Sequence, residues 1–386
     1  LKHEWERVFR NHLIVDSAKG VILKYKYWKQ YWGCCIEVYP LLTDSAILVK
    51  KTLINYYLFS FSVSNLTEKN STQVIQHVSC GKAILFGEHA VVFGKPCIIL
   101  PLKNLKTEIV IQRDEKNLLN GQEITESTSA HIRYFLTHIW NEAYPLNILD
   151  NSSIPVGSGL GSSASLCVAL TIANKALRNE RITENDIARE SYIFDFNVAK
   201  AKNERTFLSP ADTSCITHEA PIYISGSVEN NFLWTIKKFD DMFSENRIWN
   251  VHEINIPADW NFIVVYSGIK KGTAAKVGNV RQLVHAEPEK REIINNIEKL
   301  VKEAKKAIER NDKRLTGELM RDNHEALREL GVSHEELEKI ISKVKNCCYG
   351  AKLTGAGGGG SVIILTDDVE KCKKVLSDEK YRIYNV

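Results

Sequence analysis

The chain has 386 residues, is 44% hydrophobic and 25% charged, and carries a formal net charge of +4. Those values describe an ordinary soluble globular chain of two or three domains, and so small an excess of positive charge gives no argument for a nucleic-acid partner. The excess sits in residues 1–73, where ten Lys and Arg meet six Asp and Glu, while the remainder balances at 41 against 41. Nine cysteines show no metal-ligand spacing, and an odd count without a framework suggests reduced thiols and a cytoplasmic location. No apolar run of about 18 residues is present, so no membrane partner is expected.

Residues 1–73 hold three of the seven Trp and only two glycines, Gly20 and Gly33. Lys50, Lys51 and Asn55 interrupt the apolar run 47–66. The stretch lacks the short apolar core and small-residue cleavage site of a signal peptide. It reads as an extension of unknown role without a catalytic part, not native to the protein if the start of translation is misplaced; the alternative is a small partner-binding domain.

In 77–102, residues 82–86 predict a short apolar strand, 87–89 a turn, and 97–102 a return strand; alternation over 106–112 predicts a third. Lys82, Glu88 and His89 are polar groups around this apolar hairpin. Their plainer reading is a salt bridge and a turn; the functional one is a lysine and a carboxylate facing a polar substrate.

Residues 127–140, 162–178 and 184–198 read as helices. Between the first two lies Ile154-Pro-Val-Gly-Ser-Gly-Leu-Gly-Ser-Ser-Ala-Ser165. Glycine permits positive φ and close backbone approach, and the first N–H groups of a helix are unpartnered and partially positive, so this strand, glycine loop and helix start suits a phosphate. The plainer reading is a tight turn and a helix cap. The loop fits neither the P-loop, because no Lys follows Gly161, nor the dinucleotide fingerprint, because its third Gly comes one residue early.

Asp212 follows a Pro-containing loop. It reads either as a helix-capping aspartate or as a base that orients a substrate hydroxyl. Residues 227–250 read as a long polar excursion, and 261–267 as a strand. The apolar stripe Ile293, Ile294, Ile297, Leu300, Val301, Ala304 and Ile308 predicts a helix with its core face, and 315–330 and 333–344 are further helices. Four consecutive glycines, 357–360, lead directly into strand residues, which points to close backbone approach and not to a linker.

Three of these stretches together resemble the GHMP kinases: Gly81-Lys82, the phosphate loop Pro155 to Ala164, and the late motif Gly355 to Gly360. The wording Ile84-Leu-Phe-Gly-Glu-His-Ala-Val-Val92 and Ala351-Lys-Leu-Thr-Gly-Ala-Gly-Gly-Gly-Gly360 is most similar to the mevalonate kinase family, in a compact archaeal-like form. So is Asn323-His324 followed by Leu330-Gly-Val332. The resemblance implies an α+β fold of two lobes: a ribosomal S5-like N-terminal domain over 74–255 and a ferredoxin-like C-terminal domain over 256–386. It implies ATP-dependent phosphorylation of the 5-hydroxyl of mevalonate, with ATP and Mg2+, and a possible homodimer. By motif position, Pro155, Val156, Gly157, Ser158, Gly159, Leu160, Gly161, Ser162, Ser163 and Ala164 hold the ATP phosphates. Ser163 ligates the metal, Asp212 is the catalytic aspartate and Lys82 its partner. Glu88, His89, Thr354 and Gly355 lie at the substrate.

Three departures stand out. Ser79-Cys80 replaces the family's Ala-Pro. The position of the metal-binding glutamate, eleven residues before Asp212, is Ala201, and a family glycine six residues before Asp212 is Thr206. Glu204 is the nearest acid and the candidate replacement. Two alternatives follow: another small-molecule kinase of the superfamily, acting on phosphomevalonate or homoserine, and a silent binding protein of the same fold.

Overall fold

The computed structural model describes residues 74–141, 144–203, 206–270, 273–377 and 380–386, plus the strand backbones 11–16, 21–28 and 33–40; for 273–275 only the helical backbone is described. The chain divides into two compact units. One comprises Leu1–Val78, Ile109–Glu126 and Glu142–Asp150, the other Ser79–Glu108, Ser127–Asn141 and Asn151–Val386.

In the first unit, Asn11–Asp16, Val21–Trp28 and Gly33–Pro40 form an antiparallel meander. Its last strand pairs with the chain from Val74 to His77. A short hairpin, Leu118–Leu119 with Gln122–Glu123, lies parallel to Leu146–Ser152 at Leu118 and Leu119.

The second unit carries every motif singled out above. The strand expected over 82–86 starts earlier, spanning Val74–Phe86, and its last eight residues are all buried. The two strands expected over 97–102 and 106–112 are one, Cys97–Arg113. Its pattern explains the split: a fully buried run passes through exposed Lys103 and Asn104 into an alternating, one-sided run. The segment expected as a helix over 127–140 is a five-residue α-helix, Ala130–Tyr134, that widens into a π-helical turn, Phe135–Trp140.

The helices Ser162–Leu177, Glu184–Lys202 and Ala211–His218 pack together. Ser162–Leu177 is buried along most of its length, from Ala164 through Leu177, which is why its sequence is apolar all round. The polar excursion expected over 227–250 is an antiparallel hairpin, Phe232–Asp240 with Glu245–Glu253, whose second strand pairs with Ile222–Ser225. Exposed Thr235, Lys237 and Phe239 alternate with more buried Trp234 and Asp240, so half of the strand is polar by position.

A second, four-stranded antiparallel sheet contains Phe262–Tyr266, Gly350–Thr354, Ser361–Leu365 and Arg382–Asn385. Taking these in chain order as first to fourth, their spatial order is second, third, first, fourth. That is the ferredoxin-like arrangement, with four helices inserted between the first two strands and Val369–Leu376 before the last. The predicted stripe on Pro288–Glu309 is core: Ile294, Ile297, Leu300, Val301, Ala304 and Ile308 are buried. Each such large aliphatic side chain stabilises the fold by about 1.5–3 kcal/mol through burial. Among the described residues no helix is long and apolar enough to cross a membrane.

Candidate active site

The phosphate loop is held open by three residues in the left-handed region, Gly157, Gly159 and Gly161, with φ of 74°, 81° and 87°. Gly161 is the N-cap of Ser162–Leu177, and no side chain caps that helix. Its first N–H groups therefore remain available to an anion. Ser158, Leu160 and Ala164 are buried, whereas Ser163 is exposed at the second helical residue and Val156 is exposed at the loop's outer edge. Pro155, Gly157, Gly159, Gly161 and Ser162 are half-buried.

Lys82 ties this loop to Asp212. Its backbone N–H donates to Leu160 O at 3.0 Å and its ammonium donates to Gly159 O at 3.1 Å. The ammonium also lies 2.9 Å from Asp212 Oδ2. A Cβ on Gly161 would fall 2.8 Å from Lys82 Cγ, so the glycine makes the room through which the lysine reaches the aspartate. Asp212 does not cap its helix. Pro210 is the N-cap of Ala211–His218, and Asp212 sits in the first turn with its carboxylate turned to Lys82. Lys82 is 4% exposed and Asp212 34%, so the aspartate stays open to a small molecule while its partner is buried.

The late glycine motif locks against the phosphate loop. A Cβ on Gly159 would meet Thr354 O at 3.0 Å, and one on Gly355 would meet Gly159 O at 3.0 Å. Ser361 Oγ donates to Ser158 O at 2.9 Å, and Gly360 N–H donates to Ile269 O at 3.0 Å. Thr354 is buried, and its hydroxyl donates to Ile84 O at 3.0 Å. A Cβ on Gly357 would fall 2.1 Å from Val332 O and one on Gly360 2.8 Å from Ser158 O, so close backbone approach requires glycine there, as the direct entry into a strand suggested.

Glu88 and His89 are both buried. Glu88 forms an ion pair with Lys352, and both side chains are fully enclosed. Burial pushes the Glu88 carboxyl up and the Lys352 ammonium down, against the mutual attraction that keeps them charged. Lys82 and Glu88 each form an ion pair, but with residues outside their hairpin: Lys82 with Asp212 and Glu88 with Lys352. His89 has a φ of 60°, and its Nε2 lies 3.1 Å from Ala356 O. A carbonyl only accepts, so Nε2 carries the proton. Burial lowers the ring's pKa to about 4, so the ring is neutral near pH 7 and Nδ1 is a bare acceptor. His89 Nδ1, Glu88 Oε2 and Asn323 Nδ2 are buried without a protein hydrogen-bond partner.

Sequence reasoning gave no role to Lys352 or Asn323. The signal was present: Lys352 is the one charged residue of a short strand, between Ala351 and Leu353, and a lysine buried there requires a counter-charge. Asn323 accepts from Gly87 N–H at 3.4 Å and supports the turn that carries Glu88 and His89. Cys80, a departure from the family pattern, is a buried thiol pushed up to about 12 by desolvation and lies 3.9 Å from Ile216 O, which marks it as packing. Ala201 is exposed in the last turn of Glu184–Lys202. Glu204 lies outside the described residues.

The chain matches the family model for the GHMP kinases N terminal domain over residues 129–211 and that for GHMP kinases C terminal over 304–382. It is 32% identical to the mevalonate kinase of Methanocaldococcus jannaschii over 331 residues, covering 79% of this chain and 96% of that relative. The chain belongs to the mevalonate kinase family. A second member, from Methanothermobacter thermautotrophicus, is 30% identical over 295 residues, covering 73% of this chain and 87% of the relative. The crystal structure of the Methanococcus jannaschii mevalonate kinase superposes with a TM-score of 0.60 at 28% identity, covering 82% of this chain and 98% of that one. A mevalonate kinase of the GHMP type is a phosphotransferase, and the chain is accordingly an enzyme of that class.

Proposed function

We propose that the site described above transfers the γ-phosphoryl group of ATP to the 5-hydroxyl of mevalonate. The observation that carries the residue roles is the position of the Lys82 ammonium, 2.9 Å from Asp212 and 3.1 Å from the phosphate-loop carbonyl of Gly159. One cation thereby stands between a candidate base and a candidate phosphate cradle.

Phosphoryl transfer demands mainly positioning and neutralisation of charge. The uncapped helix start at Gly161, Ser162 and Ser163 binds the phosphates. Asp212 takes the proton of the 5-hydroxyl as its oxygen bonds to the γ-phosphorus and the bond to the β,γ-bridging oxygen breaks, releasing ADP. Lys82 pairs with Asp212 and faces the transferring group. His89, through its Nε2 contact with Ala356 O, ties the turn after Gly87 to the late motif beside the site. The Glu88–Lys352 pair holds the His89 turn against the late motif.

The donor set also suits magnesium, which takes hard oxygen ligands and is held by few protein groups plus substrate phosphates. Ser163 offers an exposed hydroxyl at the helix start, and Glu204 is the second candidate ligand. When bound, the ion supplies further neutralisation of phosphate charge.

Asp212→Asn removes the base without changing its shape. Turnover should fall about 100- to 10,000-fold while ATP affinity by titration calorimetry changes little. Near-full turnover in that variant would remove Asp212 from the role of base.

A further inference from the structure

Among the described residues, three lysines with buried or half-buried stems lie at the glycine motifs and the strand between them, and two of these are internally neutralised. Lys82 is paired with Asp212, and Lys352 with Glu88. The third is Lys276, half-buried in the helix Thr273–Ala286. Among the described residues no carboxylate lies within ion-pair distance of it.

Its stem lies along the late glycine motif. A Cβ on Gly358 would fall 2.4 Å from Lys276 Cε and 3.3 Å from its Nζ, so the glycine, at a φ of 70°, leaves the space the lysine occupies. Two residues earlier on the same stretch, Ala356 O receives the hydrogen bond from His89. Lys276 is close enough to His89 for its charge to act on that ring. The neighbourhood therefore holds an uncompensated cation and a neutral histidine with a free acceptor nitrogen.

A substrate that is an alcohol at one end and a carboxylate at the other meets that inventory. Asp212 and Lys82 take the alcohol, and a second, unneutralised cation is needed for the carboxylate. We propose that Lys276 is the specificity-determining residue that binds the substrate's carboxylate. The inference rests on the reading of the site as a mevalonate-phosphorylating centre. A charge-assisted ammonium–carboxylate contact, lost from one side only, changes affinity by about 10- to 100-fold.

The test compares the full-length chain with Lys276→Met and Lys276→Arg, using mevalonate and 3-methylpentane-1,3,5-triol, in which a neutral hydroxymethyl group replaces the carboxylate. Wild type should strongly prefer mevalonate. Lys276→Met should raise the mevalonate KM about 10- to 100-fold, leave the ATP KM and the triol kinetics unchanged, and erase the preference; Lys276→Arg should restore part of it. Thermal unfolding of both variants shows that they are folded. An unchanged mevalonate KM in Lys276→Met would overturn the inference while leaving the function intact. So would a raised ATP KM, which would place the lysine on the nucleotide phosphates. A wild-type chain that ignores mevalonate but phosphorylates another alcohol would overturn the functional reading, and this inference with it.

Discussion

At the scale of single residues, the site is a set of side chains whose charges are arranged in pairs. Lys82 is buried and Asp212 half-open, so the aspartate can meet a substrate while its counter-ion is fixed from behind. Gly161 is part of that fixing. Gly161→Ala would place a methyl 2.8 Å from Lys82 Cγ at a φ of 87°, where an L-residue is strained by about 1–2 kcal/mol. The expected result is a lower melting temperature and a turnover reduced at least about tenfold, because a 1 Å displacement of a catalytic group costs more than the strain itself. A variant with wild-type turnover would mean that the lysine's path is not needed. Glu88→Gln should be more damaging to stability. Breaking a buried pair from one side costs about 3–5 kcal/mol, whereas replacing both members with apolar residues of similar size recovers much of it. Urea unfolding of Glu88→Gln and of the double variant Glu88→Leu, Lys352→Met checks this, and equal losses in the two would show that the pair does not act as a unit. Sequence wording marked Lys82, Asp212, Glu88 and His89, but the pairing of Glu88 with a residue 264 positions away is a fact of the fold alone.

At the scale of elements, backbone approach decides the geometry. Gly317 in the helix Lys313–Glu329 meets Gly350 at the start of the strand Gly350–Thr354. A Cβ on Gly350 would fall 2.2 Å from Gly317 O, and one on Gly317 would fall 2.3 Å from Tyr349 O. That helix carries Asn323 and that strand carries Lys352, so their contact sets the back of the site. Gly350→Ala should force the two apart, destabilise the chain by about 1–3 kcal/mol, and lower turnover as well. Calorimetric unfolding and steady-state rates read the two effects, and a variant as stable as wild type would contradict the contact. The helices Pro288–Glu309, Lys313–Glu329 and Glu335–Val344 were legible because their apolar periodicity is strong. The short helix Ala211–His218 was read only through its aspartate, and other elements were misread. The hairpin Phe232–Asp240 with Glu245–Glu253 exposes alternate residues, and its polarity reads as loop. The π-helical turn Phe135–Trp140 has no period of its own in the sequence.

At the scale of the whole molecule, acid sensitivity follows from buried histidines, led by two, with His252 and His324 also lowered by burial. His77 and His89 are each lowered by burial to about 4, against an ordinary value of 6.5. Below about pH 6.5 the unfolded chain takes up protons that the folded chain refuses, so stability is full above that pH and falls as pH drops toward 4. Each histidine should contribute a loss of about 2 kcal/mol between pH 7 and pH 5. His89→Asn keeps a side chain that tolerates positive φ and should flatten that decline. A pH profile of unfolding free energy that the substitution leaves unchanged would show that His89 titrates normally in the fold.

The most direct test of the whole account is ATP turnover by the full chain with magnesium, offered mevalonate, phosphomevalonate, homoserine and galactose in parallel. ADP release and a phosphorylated product are expected with mevalonate, and little with the other three. Turnover of any of the others in preference to mevalonate would contradict it, as would ATP binding with no turnover of mevalonate.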